Sequence, residues 1–234
     1  MPVLALDTSA AVAVALTDDT GALLAERSDA QQRRHAELLT PMVAAVLAEA
    51  GVDRRELTSV VVGTGPAPFT GLRVGLVTAR TLALALAVPV LGVPSLDAVA
   101  ARAGRVLQTG TDVLVATDAR RREVYWSLYR TSEHGIEVLA GPEVAAAAEV
   151  AADPRAAGAV ATGRGALLYA DVLRGGTGSA DVDLEALGLL DPDPAELARL
   201  ALTRRAAGQA LGTEPLYLRR PDAVPQPARK RVLG

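Results

Sequence analysis

Two short stretches carry residue types that could do phosphate chemistry. Asp7-Thr8-Ser9 follows the apolar run at residues 3–6, which reads as a short buried strand. A carboxylate there could hold a cation–water–phosphate cluster, with the two hydroxyls on phosphate. The same residues could instead cap a hairpin, with Thr8 and Ser9 satisfying turn amides. The second stretch is Gly-Thr-Gly-Pro-Ala-Pro-Phe-Thr-Gly-Leu-Arg-Val-Gly, residues 63–75. It follows Val60-Val61-Val62 and opens an apolar helical pattern, so it reads as strand, loop and helix start. Gly63, Gly65 and Gly71 reach backbone angles that other residues resist, and Pro66 and Pro68 stiffen the loop. Thr70 stands where an N-cap belongs. Phe69, the only phenylalanine, lies in mid-loop. Such a loop holds an anion, holds one surface in a fixed shape, or simply connects strand to helix.

Other polar residues allow two readings each. Arg73 falls in the first turn of the helix, where the dipole disfavours a cation, so it requires a carboxylate or phosphate partner unless it is solvated. His35 and Glu37 open an earlier helix. They fix a partner-facing helix by hydrogen bonds, or are ordinary N-terminal residues with Glu37 favoured by the dipole. Arg120-Arg121-Arg122 forms a basic cluster before a strand. RNA phosphate is one partner for it, but a surface turn is favoured, because no aromatic interleaves and Glu123 adjoins. Arg229-Lys230-Arg231 near the end reads as a solvated terminus, with RNA phosphate the alternative.

Composition removes several functions. There is no cysteine, so disulfides and thiolate metal sites are excluded. The two histidines, His35 and His134, are too far apart in sequence to suggest a metal site and have no evident nucleophile partner, which argues against a peptidase. Net charge is −3, giving no general pull toward nucleic acid or anionic membrane. The start lacks a basic leader region, and the longest apolar stretch, 82–93, contains Pro89 and Gly92 and falls short of the roughly 18 residues of a membrane span. A cytoplasmic protein without membrane association is expected.

The elements that must position these residues follow from periodicity. Strands are predicted at 3–6, 11–16 and 22–27, then a helix at 36–50 stopped by Gly51. A strand at 57–62, a helix at 71–86, a strand at 89–93 and a helix from Ser95 follow. The pattern restarts with a strand from 113 that ends at Asp118, then strands at 123–130 and 136–139, a helix at 144–151 and a strand at 159–162. Helices at 166–173 and 194–207 close it, with a loose turn at 175–178 and a proline-rich tail from 215. Each half opens with a strand ending at an aspartate, then a hairpin, then αβα. The expected fold is therefore α/β by duplication, two subdomains each with a mixed sheet flanked by helices. The expected division is 1–105, 106–214 and a tail, 215–234.

The first two helices are apolar over more of their circumference than one buried face requires. Leu38, Leu39, Met42, Val43 and Val46 on the first, and Leu72, Val74, Val77 and Leu82 on the second, are the candidate partner interface. The surplus suggests closure by another helix pair in a four-helix bundle, with a deeply buried helix pair in a wide core as the alternative.

Taken together, Asp7-Thr8-Ser9, His35-Ala36-Glu37-Leu38-Leu39, the 63–75 loop, Asp118-Ala119-Arg120-Arg121-Arg122-Glu123-Val124-Tyr125 and Pro215-Leu216-Tyr217-Leu218-Arg219 resemble the TsaB (YeaZ) family, within the actin/sugar-kinase/Hsp70-like superfamily. The resemblance spans nearly the whole chain. The loop departs from it at Ala67-Pro68, where the family usually has glycine and serine. The resemblance implies a duplicated actin-like (ribonuclease-H-like) fold and a non-catalytic subunit. Such a subunit binds TsaD, which places threonylcarbamoyl on adenosine 37 of tRNAs reading ANN codons, and TsaE, a P-loop ATPase, joins them. It implies a homodimer in isolation through the same two helices, tRNA contact only through the complex, no tightly bound cofactor, and ATP or ADP only at the complex interface. The catalytic relative holds a metal through two histidines spaced i, i+4 on the helix after the fifth strand. Ser95 and Val99 align with those positions, and Asp97 alone cannot hold a transition metal. A kinase of the same superfamily would use Asp7, Thr8, Ser9 and Asp118 around phosphate, but would need a second glycine-rich loop where Asp118-Ala119-Arg120-Arg121-Arg122 stands.

Overall fold

The computed structural model describes residues 1–30, 34–177 and 182–219. Gly178 of the expected loose turn and the tail beyond residue 219, with its basic cluster, lie outside the described residues. Two sheets organise the chain. The first contains β1 (Val3–Asp7), β2 (Val12–Thr17), β3 (Leu23–Asp29), β4 (Ser59–Gly63) and β5 (Val90–Val93) in the order β3-β2-β1-β4-β5. The β1–β2 and β2–β3 pairs are antiparallel, with Val3 opposite Thr17, whereas β4 and β5 add in parallel. The second contains β6 (Asp112–Asp118), β7 (Glu123–Ser132), β8 (Gly135–Ala146) and β9 (Val160–Thr162) in the order β8-β7-β6-β9. It repeats the pattern: two antiparallel pairs, then a parallel strand beside the first. This is the duplicated actin-like α/β fold.

Alternation decides which faces are covered. In β1, Leu4 and Leu6 join the core beneath α1 (His35–Ala50) and α2 (Phe69–Leu86), while Val3 and Ala5 face the opposite side. That opposite side is filled by α7 (Pro194–Ala206), whose Leu197, Ala198 and Ala201 pack on Val3, Ala5 and Val61. So the last helix among the described residues returns to the first sheet. In turn α3 (Ser95–Val106) sends Leu96, Val99, Ala100 and Ala103 into the core of the second sheet. The lobes are bolted where these helices meet. Asp97 of α3 accepts hydrogen bonds from Tyr129 Oη at 2.8 Å and Arg204 Nη2 at 2.7 Å. Burial beside Asp97 pushes the Tyr129 phenol well above its ordinary value.

Several boundaries differ from expectation. β8 is longer than predicted and absorbs residues 144–146, so α4 is only Ala147–Ala152. The single helix expected at 166–173 is two, α5 (Arg164–Leu168) and α6 (Ala170–Thr177), because Tyr169 leaves helical geometry at φ −116°, ψ 39°. Helix α2 starts at Phe69, so Thr70 is not its cap. The rigid extended Pro68 (φ −57°, ψ 136°) takes that place, with no side-chain cap bond. Finally, residues 211–217 run along the first lobe, and Arg219 reaches the second, donating to Ala119 O at 2.6 Å. Gly92 N donates to Leu211 O at 3.1 Å, Leu216 N to Thr64 O at 2.9 Å, and Arg80 Nη2 to Thr213 O at 2.6 Å.

Candidate functional site

Asp7 ends β1 inside the protein, 1% exposed. Its Oδ1 accepts from Ser9 N at 2.7 Å and Ser9 Oγ at 2.6 Å, and its Oδ2 accepts from Ser95 Oγ at 2.6 Å. Ser95 Oγ also accepts from Gly65 N at 3.1 Å, which ties the glycine loop to the start of α3. Gly65 sits at φ +86°, a conformation that favours glycine. Burial pushes the Asp7 carboxyl above its ordinary value despite these donors. Gly63 leaves no room beside it, since a Cβ there would stand 1.8 Å from Asp7 Oδ2. Thr8 is engaged as well: its hydroxyl donates to Gly71 O at 2.8 Å and accepts from Gly75 N at 3.0 Å. These contacts hold the first two turns of α2 against β1.

Between the lobes lies a cleft of about 360 Å³. Thr8, Ser9, His35, Thr70 and Gly71 line one side, and Thr117, Asp118, Arg120 and Arg164 the other. The fold thus brings Thr8, Ser9 and Asp118 together, while Asp7 does not line the cleft. Asp118 is paired within its own turn, accepting from Arg120 N at 2.8 Å and forming an ion pair with Arg120 Nη1 at 3.1 Å. Arg164 is held by Asp191, with Nη2 donating to Oδ2 at 2.6 Å. Ser95 and Val99 are both inside the protein, Ser95 on Asp7 and Val99 in the apolar core.

Among the described residues Arg73 packs on aromatic rings and meets no carboxylate. Its guanidinium carbon lies 3.4 Å from the Phe69 ring centroid, and its Nε donates to Tyr217 Oη at 2.8 Å. Phe69 and Tyr217 stack at 5.2 Å. Sequence reasoning did not assign Tyr217 to this site, because the contact is 144 residues from Arg73.

The outer face of α1 and α2 separates the interface candidates. Leu39, Val46 and Leu72 are fully inside the first lobe and leave the candidate surface, because the helical stripe that contains them is the one packed on the sheet. Leu38, Met42, Val43, Val74 and Leu82 are half-buried at its edge. Val77 is 61% exposed, and Leu84, absent from the expected set, is 84% exposed. On α1 the small residues Thr40, Ala44, Ala45 and Ala48 are exposed, as are Glu37, Pro41 and Glu49. By length and composition alone α2 would suffice to cross a membrane, but Leu72, Gly75, Leu76, Ala79 and Ala83 pack it on the lobe.

The sequence and the two-lobed fold both match known proteins. A family model described as TsaD: tRNA N6-adenosine threonylcarbamoyltransferase matches residues 22–180. An uncharacterized Mycobacterium tuberculosis protein is 44% identical over 203 residues, covering 87% of this chain and 83% of that protein. The tRNA threonylcarbamoyladenosine biosynthesis protein TsaB of Escherichia coli is 37% identical over 151 residues, 62% of this chain and 64% of its own length. Among solved structures, YeaZ from Pseudomonas aeruginosa superposes with a TM-score of 0.73 at 31% identity, over 93% of this chain and 99% of that one. The chain belongs to the TsaB (YeaZ) family.

Proposed function

We propose that this chain is a non-catalytic subunit that binds TsaD, with TsaE joining, for threonylcarbamoyl transfer to adenosine 37 of ANN-decoding tRNAs. Family membership supports involvement in threonylcarbamoyladenosine biosynthesis. The observation that carries the subunit reading is the outer face of α2, where Val77 and Leu84 are exposed, together with the exposed small residues Thr40, Ala44 and Ala48 of α1. Large apolar side chains held rigidly on a helix, next to small ones that permit close approach, suit docking of a partner helix pair. The same face serves a homodimer in isolation, and the two assemblies compete for it. The chain acts in the cytoplasm, meets tRNA within the complex and holds no cofactor tightly, with ATP or ADP entering only at the complex interface. A phosphotransferase reading is disfavoured because the groups it would place on phosphate are engaged: Asp7 by Ser9 and Ser95, Thr8 by α2.

Val77→Glu tests the proposal by affinity for TsaD and by thermal unfolding. A carboxylate desolvated at the interface weakens binding by more than about 100-fold. At this exposed position stability changes by less than about 0.5 kcal/mol. Undiminished binding, or an unfolded variant, overturns the surface assignment.

A further inference from the structure

We propose that residues 211–219 form a latch that couples the partner face of α2 to the width of the interlobe cleft. The coupling rests on the proposed function; the latch itself does not. The end of this segment reaches both rims of the cleft. Tyr217 stacks on Phe69 at 5.2 Å, and its Oη accepts from Arg73 Nε at 2.8 Å. Phe69 lies between Pro68 and Thr70, which line the cleft on the first lobe. Two residues on, Arg219 Nη1 donates to Ala119 O at 2.6 Å, and its Nη2 pairs with Glu123 Oε2 at 3.1 Å. Ala119 lies between Asp118 and Arg120, which line the cleft on the second lobe. Two residues of extended chain span at most about 7 Å. At this edge the rims part only by the slack in two side chains, unless Tyr217 or Arg219 lets go.

Both ends of the segment are closely fitted. At its root, Gly92 N donates to Leu211 O at 3.1 Å, and a Cβ on Gly92 would stand 2.1 Å from Gly212 O. At its tip it holds backbone that needs holding. Arg120, Arg121 and Arg122 stand in succession at φ 65°, 54° and 63°, where residues with a Cβ are strained. Ala119 and Glu123, the two residues that Arg219 grips, close this turn, with Ala119 N donating to Glu123 O at 3.0 Å. Strained backbone persists where its surroundings over-determine it. Elsewhere α3 and α7 tie the lobes through Asp97 with Tyr129 and Arg204, so the lobes stay joined when the latch opens.

The middle of the segment borders the partner face. Arg73, Val77, Arg80 and Leu84 are all exposed and follow one another at spacings of four, three and four, which makes them one stripe of α2. Val77 and Leu84 are its apolar members. Arg73 and Arg80 hold the segment, Arg80 through Thr213 O at 2.6 Å and Glu214 Oε1 at 3.0 Å. A helix docked on this stripe meets the segment as well, so its affinity depends on whether the segment is fixed. Arg219 is one of the points that fix it.

The chain has no cysteine, so Ala36→Cys on α1 and Ala148→Cys on α4, both exposed, place one spin label on each lobe. Pulsed electron paramagnetic resonance on the labelled full chain should give one distance population. Arg219→Ala should add a second population at longer distance. Gly92→Ala, which dislodges the segment at its root, should do the same. Unchanged distances in both variants overturn the latch, and Arg219→Ala alone decides it if Gly92→Ala does not fold. Affinity for TsaD reads the coupling. Arg219→Ala should weaken it by about fivefold, although Arg219 grips the second lobe, because the partner must then immobilise the segment itself. Undiminished affinity with altered distances overturns the coupling. If the wild-type chain and TsaD do not associate, the proposed function fails and the coupling with it, while the distances still decide the latch.

Discussion

The two ends of α2 differ in how completely their chemistry is satisfied. At its inner end, the residues that look reactive are engaged within the chain: Thr8 with Gly71 and Gly75, Asp7 with Ser9 and Ser95. On its outer face, Val77 and Leu84 expose apolar surface. The difference teaches that residue type alone misdirects. The carboxylate and hydroxyls that suggest phosphate chemistry are tied within the chain, and plain aliphatic residues form the exposed face that the proposed function uses. Each region can therefore be damaged with little effect on the other, and that independence is testable.

The largest effect is expected at the inner end. Gly63→Ala drives a methyl group into Asp7 Oδ2 and within 2.6 Å of Ser95 Oγ, both buried. The overpacking costs about 3 kcal/mol of stability, read by chemical unfolding, while affinity for TsaD of the folded fraction stays within about twofold. Lost affinity at undiminished stability would show that the inner end is itself a contact, which breaks the comparison.

A smaller effect sharpens it. Because the folded Asp7 carboxyl lies above its ordinary 3.8, its share of stability is present below that value and is lost as pH rises through the folded value. Asp7→Asn removes this titration. The stability difference between wild type and variant should therefore shift against the wild type as pH rises from about 4 towards 7, measured by urea midpoints. A difference that grows with pH in favour of the wild type would mean that the hydrogen bonds from Ser9 and Ser95 outweigh burial.

Much of the fold was legible because the signals are local. The stripe of α1 and the stop at Gly51, which adopts φ 65°, place its end correctly. The Val60-Val61-Val62 run and both aspartate-ended strands also appear as read. The extent of β8 was not legible, since it is an edge strand of mixed small, polar and charged residues with no clean alternation. Nor was the return of α7 to the first sheet, which depends on packing more than a hundred residues from β1 and leaves no local mark. The sequence left Asp7 with two readings, and the decision comes from Ser95, 88 residues away. Periodicity likewise named the apolar residues of α1 and α2 but not which side the sheet would take, so Leu39, Val46 and Leu72 fell inside and Leu84 outside.

The most direct measurement is the light-scattering mass of this chain as TsaD is titrated in. If, as proposed, both assemblies use the outer face of α1 and α2, a one-to-one heterodimer grows as the homodimer disappears. TsaD adding to an intact homodimer, or no association together with phosphoryl transfer by this chain alone, would contradict the account.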